Sequence, residues 1–119
     1  MIAVENELGH TTYWYTVAEV SKALSLRDGN GKFVGRNRLF SVLRNNKVLD
    51  KSNQPYAIFI NLGIARSHKT TKRWKSYYVP VFTDNGIEYL RNRFLDGRYQ
   101  INFGEEKKKS MFVNPSEVF

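Results

Sequence analysis

The chain has 119 residues, a net charge of +8, 41% hydrophobic residues with 2 Trp, 7 Tyr and 8 Phe, and no cysteine. That length suits one domain with a real core and room for a tail, and without cysteine there are no disulfides, thiolate metal sites or thiol nucleophiles. No apolar run approaches the roughly 18 residues of a membrane helix and no secretory signal opens the chain, so a cytoplasmic protein with no membrane partner is expected.

The charge is unevenly placed. Residues 29–83 hold eleven Lys/Arg against one acid, Asp50, a local +10 that leaves −2 for the remainder. Solubility alone would spread the charge, so its concentration points to a polyanion partner, nucleic acid ahead of membrane.

In chain order, residues 1–12 show little pattern and, with residues 13 and 14, read as a loose N-terminal lead-in of 1–14. Tyr13-Trp14-Tyr15 is aromatic and β-prone, and is expected to pack on the domain. Thr16-Val17-Ala18-Glu19 has the form of a capping box. Val17, Val20 and Leu24 follow in one narrow arc, which predicts a short helix over 16–25. Residues 27–33 are turn-rich. A calcium loop from Asp28 would need Gly at Phe33 and Glu at Leu39, and a dinucleotide fingerprint on Gly29, Gly31 and Gly35 has one residue too many. A loop remains, which Asp28-Gly29 or Asn30-Gly31 could close as a small hairpin.

Residues 35–47 form the most informative helix. Leu39, Val42 and Leu43 share one side, with Phe40 at its margin, while Asn37, Arg38, Ser41, Arg44 and Asn45 share the other. Solvated faces usually mix acids with bases for i,i+4 pairing, and this face has no acid. Arg pairs bidentately with guanine and Asn with adenine in a major groove, so these five residues are the candidates for base contact. Candidates for backbone contact are Lys32, Arg36, Lys47, Lys69, Lys72, Arg73 and Lys75.

Val48-Leu49 is expected to fold onto the core. Pro55 suits the first position of a helix, with Tyr56, Phe59 and Ile60 at helical spacing and Gly63 ending it; a strand over 57–60 competes. Residues 64–69 and 76–82 read as two strands bearing a basic tip, which two strands of about seven residues would project by about 20 Å. Trp74 at that tip either wedges or stacks on a ligand, or pins the tip. Pro80 has no amide hydrogen, so an exposed edge is expected there. Thr83-Asp84 caps a helix over 83–95 with Ile87, Leu90 and Phe94 on one face and Tyr89 and Arg93 pointing outward. Beyond it, residues 99–103 alternate like a short strand. Met111-Phe112-Val113 and Val118-Phe119 are apolar for a free tail, so 96–119 reads as a C-terminal extension docked on its own domain or on a partner chain.

This order predicts an α+β fold, a winged helix-turn-helix over 15–95 with a basic β-hairpin wing. The strings Tyr15-Thr16-Val17-Ala18-Glu19-Val20, Gly35-Arg36-Asn37-Arg38-Leu39-Phe40, Asn53-Gln54-Pro55-Tyr56 and Val81-Phe82-Thr83 with Gly86 and Tyr89-Leu90 resemble the KilA-C domain of phage antirepressors. The resemblance implies a phage regulatory protein working in a bacterial host cell, with a winged-helix-like fold and double-stranded DNA as partner. It also implies relief of repression, in some members through contact with a repressor. Two departures stand out. The link over 27–34 is longer than the family's usual few residues, which bears on how the second helix docks. No N-terminal partner domain fits in the first 14 residues.

Two other readings stay open. A protein-interaction module could capture a repressor or host protein through the apolar tail and Tyr89, and a two-fold dimer could use the same tail. RNA or single strands could stack on Trp74, Tyr77 and Tyr78. Catalysis is not expected. Ser67 and His68 are strand neighbours that point to opposite faces. His10 and His68 make no metal set, and no cofactor motif is present.

Overall fold

The computed structural model describes residues 1–101, so the expectations for Met111-Phe112-Val113, Val118-Phe119 and the end of the 99–103 stretch lie outside the described residues. The elements are β1 (Ile2–Glu5), β2 (Thr11–Thr16), α1 (Val17–Leu24), α2 (Arg36–Asn45), α3 (Ala57–Asn61), β3 (Ala65–Lys72), β4 (Lys75–Phe82) and α4 (Asp84–Leu95). This is the mixed α+β class that the sequence predicts. The four strands form one antiparallel sheet in the order β1-β2-β4-β3. Tyr15, Phe82 and Ala65 oppose one another in register and present one sheet face to the helices. There they meet a core of Val20, Leu24, Leu39, Leu43, Val48, Leu49 and Leu90. Fully burying each such aliphatic side chain contributes about 1.5–3 kcal/mol.

The helix caps are as the sequence predicts. Thr16 Oγ1 accepts from the Glu19 amide at 3.4 Å and Glu19 Oε1 accepts from the Thr16 amide at 3.0 Å. Val17, Val20 and Leu24 are buried, and Ser25 ends α1 in the left-handed region. Thr83 caps α4 by accepting from the Gly86 amide at 3.0 Å. Ile87 and Leu90 are buried, with Phe94 packed at the core's margin.

Several expectations are corrected. The lead-in is not loose, because β1 pairs along its whole length with β2, from Ile2 opposite Trp14 to Glu5 opposite Thr11. β2 then passes its last two residues to β4, Tyr15 to Phe82 and Thr16 to Val81. The helix expected after Pro55 is present over 57–61, so the competing strand falls, but Pro55 lies before the helix rather than at its first position and is bridged to Leu49. Only Phe59 of α3 is buried. The unpaired edge expected at Pro80 is present, since the β2 pairing ends at Val81, although the residue itself is buried. Tyr89 does not point outward; it is half-buried, edge-on to Phe59 at 5.9 Å, with the Arg93 guanidinium stacked on it at 4.6 Å. Residues 99–101 are not a strand.

One turn design recurs three times. Asn6, Asp28 and Asp50 each use a side-chain oxygen to accept two amides, those of Leu8 and His10, of Asn30 and Lys32, and of Ser52 and Gln54, at 2.8–3.0 Å. In each, the fourth residue is left-handed: Gly9 (φ 81°), Gly31 (φ 78°) and Asn53 (φ 63°). Asx side chains favour such turns by imitating a backbone acceptor. Asp50, the lone acid of the basic segment, is therefore a turn-former.

Candidate nucleic-acid interface

The candidate interface comprises α2, the turn that precedes it, the loop that follows it and the β3–β4 hairpin. The long link over 27–34 closes on itself. The Val34 amide donates to the Leu26 carbonyl at 2.9 Å, and Arg27 bridges Phe33, with its guanidinium 5.6 Å from that ring. The excursion starts and ends at one place, so α1 and α2 are joined as they would be by a short connection. Its tip is fastened to α2, because Arg38 Nη1 donates to Asp28 Oδ2 at 2.5 Å. The Arg38 guanidinium and the Lys32 and Asn30 amides together hold the Asp28 carboxyl down at about 2.

α2 buries Leu39, Val42 and Leu43, as its spacing predicts. Its first turn holds Arg36, Asn37 and Arg38 and no acid, and Gly35 provides no side-chain cap. Cations at a helix N-terminus oppose the macrodipole, each at a cost of about 0.3–1 kcal/mol at the surface. Asp28 compensates Arg38. Arg36 lies across the Phe40 ring at 5.5 Å and is exposed, as is Asn37.

The five base-contact candidates do not present themselves alike. Asn37 is exposed, and Arg38, Ser41, Arg44 and Asn45 are half-buried. Arg38 is joined to Asp28. Arg44 Nη1 donates to Asn53 Oδ1 at 2.5 Å and its Nη2 to Ser41 Oγ at 3.1 Å.

Asn53 and Gln54 were not singled out by sequence reasoning, and they tie the interface together. Next to Asn53, Gln54 Nε2 donates to the Tyr78 carbonyl at 3.0 Å, and Ser67 Oγ donates to Gln54 Oε1 at 2.5 Å. A polar chain thus runs from α2 through Arg44, Asn53 and Gln54 to both hairpin strands. Ser52, Gln54, Ser67 and Tyr78 line a shallow hollow of about 520 Å³ there. The string Asn53-Gln54-Pro55-Tyr56 was visible in the sequence as part of the family resemblance, but no periodicity assigns it a role.

The hairpin is fully paired, from Ala65 opposite Phe82 to Lys72 opposite Lys75. Eight residues per strand extend about 26 Å. Lys69 pairs with Tyr78 and so shares the Ser67 face, whereas Lys72 and Lys75 share the other. At the tip, Arg73 is left-handed (φ 61°) and Trp74 is 87% exposed, so Trp74 does not pin the turn. Like charges directly opposed across a ladder are destabilising, and here Lys72 faces Lys75 with Arg73 between them. Lys32 and Lys47 are exposed near the two ends of α2.

Among the described residues, no group of three His, Cys, Asp or Glu side chains could hold a metal ion, and no helix is long and apolar enough to cross a membrane. In a comparison with protein families, the phage antirepressor protein KilAC domain matches residues 6–96. That span runs from the first Asx turn through the end of α4. No curated protein and no solved structure matches the chain.

Proposed function

The chain belongs to the phage antirepressor KilAC family and is a phage antirepressor-type regulatory protein, and on that premise we propose that it acts on duplex DNA as a winged helix-turn-helix. In this reading, α2 meets base edges in the major groove and the β3–β4 hairpin grips the backbone as the wing. The carrying observation is that cations are kept where they cost stability. Arg36 sits at the positive end of α2, and Lys72, Arg73 and Lys75 crowd one turn. A merely solvated surface would gain by an acid at either place; a phosphate backbone supplies the missing anions.

Asn37 is the exposed reader, with Asn45 further along the same helix. Arg38 and Arg44 reach bases by exchanging their present partners, Asp28 and Asn53, for base acceptors. Lys32, Arg36, Lys47, Lys69, Lys72, Arg73 and Lys75 take phosphates, and Trp74 wedges or stacks at the tip. Selection from random duplex DNA tests this. An enriched motif is expected whose preference Asn37→Ala or Arg38→Ala relaxes, whereas Lys72→Ala weakens all sequences alike. No enrichment over random duplex would sink the reading.

Capture of a repressor without DNA is the rival. One of its two supports has gone, because Tyr89 packs on Phe59. A repressor complex that survives nuclease treatment, together with no duplex affinity, would favour it.

A further inference from the structure

Residues 55–64 (Pro-Tyr-Ala-Ile-Phe-Ile-Asn-Leu-Gly-Ile) carry no charge in the middle of the most basic part of the chain. They contain α3, which buries only Phe59 and leaves Tyr56 40%, Ile58 63%, Ile60 44% and Leu62 56% exposed. Such a face has nothing to offer phosphates. Apolar patches of this kind on a small domain mark a surface that something else covers.

The course of the chain near residue 101 narrows the choice of cover. Tyr99 packs edge-on to Phe94 at 5.4 Å and lies beside Tyr89, which itself abuts Phe59 of α3. The Gln100 amide donates to Asn46 Oδ1 at 3.0 Å, and Asn46 Nδ2 returns a bond to the Gln100 carbonyl at 2.9 Å. Ile101 packs against the core. The chain therefore reaches residue 101 tied to the end of α2 and, through Tyr99 and Tyr89, to the buried side of α3. Residues 102–119 follow, with three Glu and three Lys and so no net charge, and with Met111-Phe112-Val113 as their densest apolar string. Ten residues from Ile101 to Met111 span up to about 33 Å, several times the length of a five-residue helix.

We propose that Met111-Phe112-Val113 of the same chain covers the exposed flank of α3 formed by Ile58 and the C-cap residue Leu62, which lie one turn apart on the same side of the buried Phe59. A second copy is the less favourable cover. Pairing this face with itself would bring together two segments of +10 each, and like-charge juxtaposition opposes association. The neutral tail brings apolar side chains without that repulsion. The inference is independent of whether α2 reads DNA.

The absence of cysteine makes the test clean. In the full chain, Phe112→Cys is combined in turn with Ile58→Cys and Leu62→Cys, and each pair is oxidised in dilute solution. A disulfide needs the two Cβ atoms about 3.5–4.5 Å apart. At least one pair is expected to lose both thiols while remaining a monomer. Cross-linked dimers in place of monomers would overturn the proposal in favour of a second copy, and free thiols in both pairs would overturn it outright. A second measurement uses the full chain with Phe112→Asp. Amide exchange in α3 should quicken by about tenfold while α1 and α2 keep their protection; unchanged exchange in α3 would overturn the proposal.

Discussion

Asp28 serves two purposes with one carboxylate. It closes the turn over 28–32 by accepting two amides, and it supplies the anion that the first turn of α2 lacks. The Arg38 hydrogen bond is the largest cause of its lowered pKa, followed by the Lys32 amide. A carboxyl held at about 2 in the folded state, against about 3.9 unfolded, contributes stability that is complete above about pH 4 and lost as pH falls towards 2. Asp28→Asn should therefore flatten the fall in urea midpoint over that window relative to the parent chain; identical pH profiles would contradict the assignment. At Gly86 the demand is steric. A Cβ there would lie 2.3 Å from the Ile64 carbonyl oxygen, a backbone atom that itself accepts from the Thr83 amide. Gly86→Ala should cost about 1–3 kcal/mol in chemical denaturation, as other forced insertions into packed sites do, and a neutral result would show that α4 and β3 can slide apart.

At the level of elements, legibility followed the strength of the local signal. α1 and α4 were readable because Thr16-x-x-Glu19 and Thr83-Asp84 are cap chemistry followed by apolar residues at helical spacing. α2 was readable from Leu39, Val42 and Leu43. β1 was missed because four residues are too few to establish a period of two, and its pairing depends on β2. The Asx turn joining them was also available, as Asn6 with Gly9, Asp28 with Gly31 and Asp50 with Asn53, but its meaning lies in backbone hydrogen bonds that spacing alone does not single out. Sequence periodicity placed Arg38 and Arg44 on the polar face of α2 and could not foresee that both are held by partners nine or ten residues away. The hairpin yields a prediction with opposite signs for stability and binding. Lys72→Glu places an acid opposite Lys75, so the protein should gain about 0.2–1 kcal/mol in stability while losing duplex affinity; a variant that gains both would show that the tip never meets phosphate. Gln54 yields another. If it sets the hairpin's angle to α2, then Gln54→Ala and Lys72→Ala should be non-additive in DNA affinity, with a coupling of about 0.5–3 kcal/mol, and strict additivity would remove Gln54 from the interface.

Taken whole, the molecule separates its tasks along the chain. The basic segment from 29 to 83 holds α2, the Asn53-Gln54 strut and the hairpin, and its single acid, Asp50, is used in a turn. The α+β class and the position of this segment were legible from charge and order. The docking of α2 was not, because the link over 27–34 looked like an insertion, whereas the Val34–Leu26, Arg27–Phe33 and Arg38–Asp28 contacts show it folded back on the domain. The central claim is that this segment binds duplex DNA through its phosphates, and counterion release measures it directly. With about six phosphates contacted, log K plotted against log[salt] should fall with a slope near −5. Affinity that does not change with salt, or no affinity for duplex DNA at low salt, would contradict it.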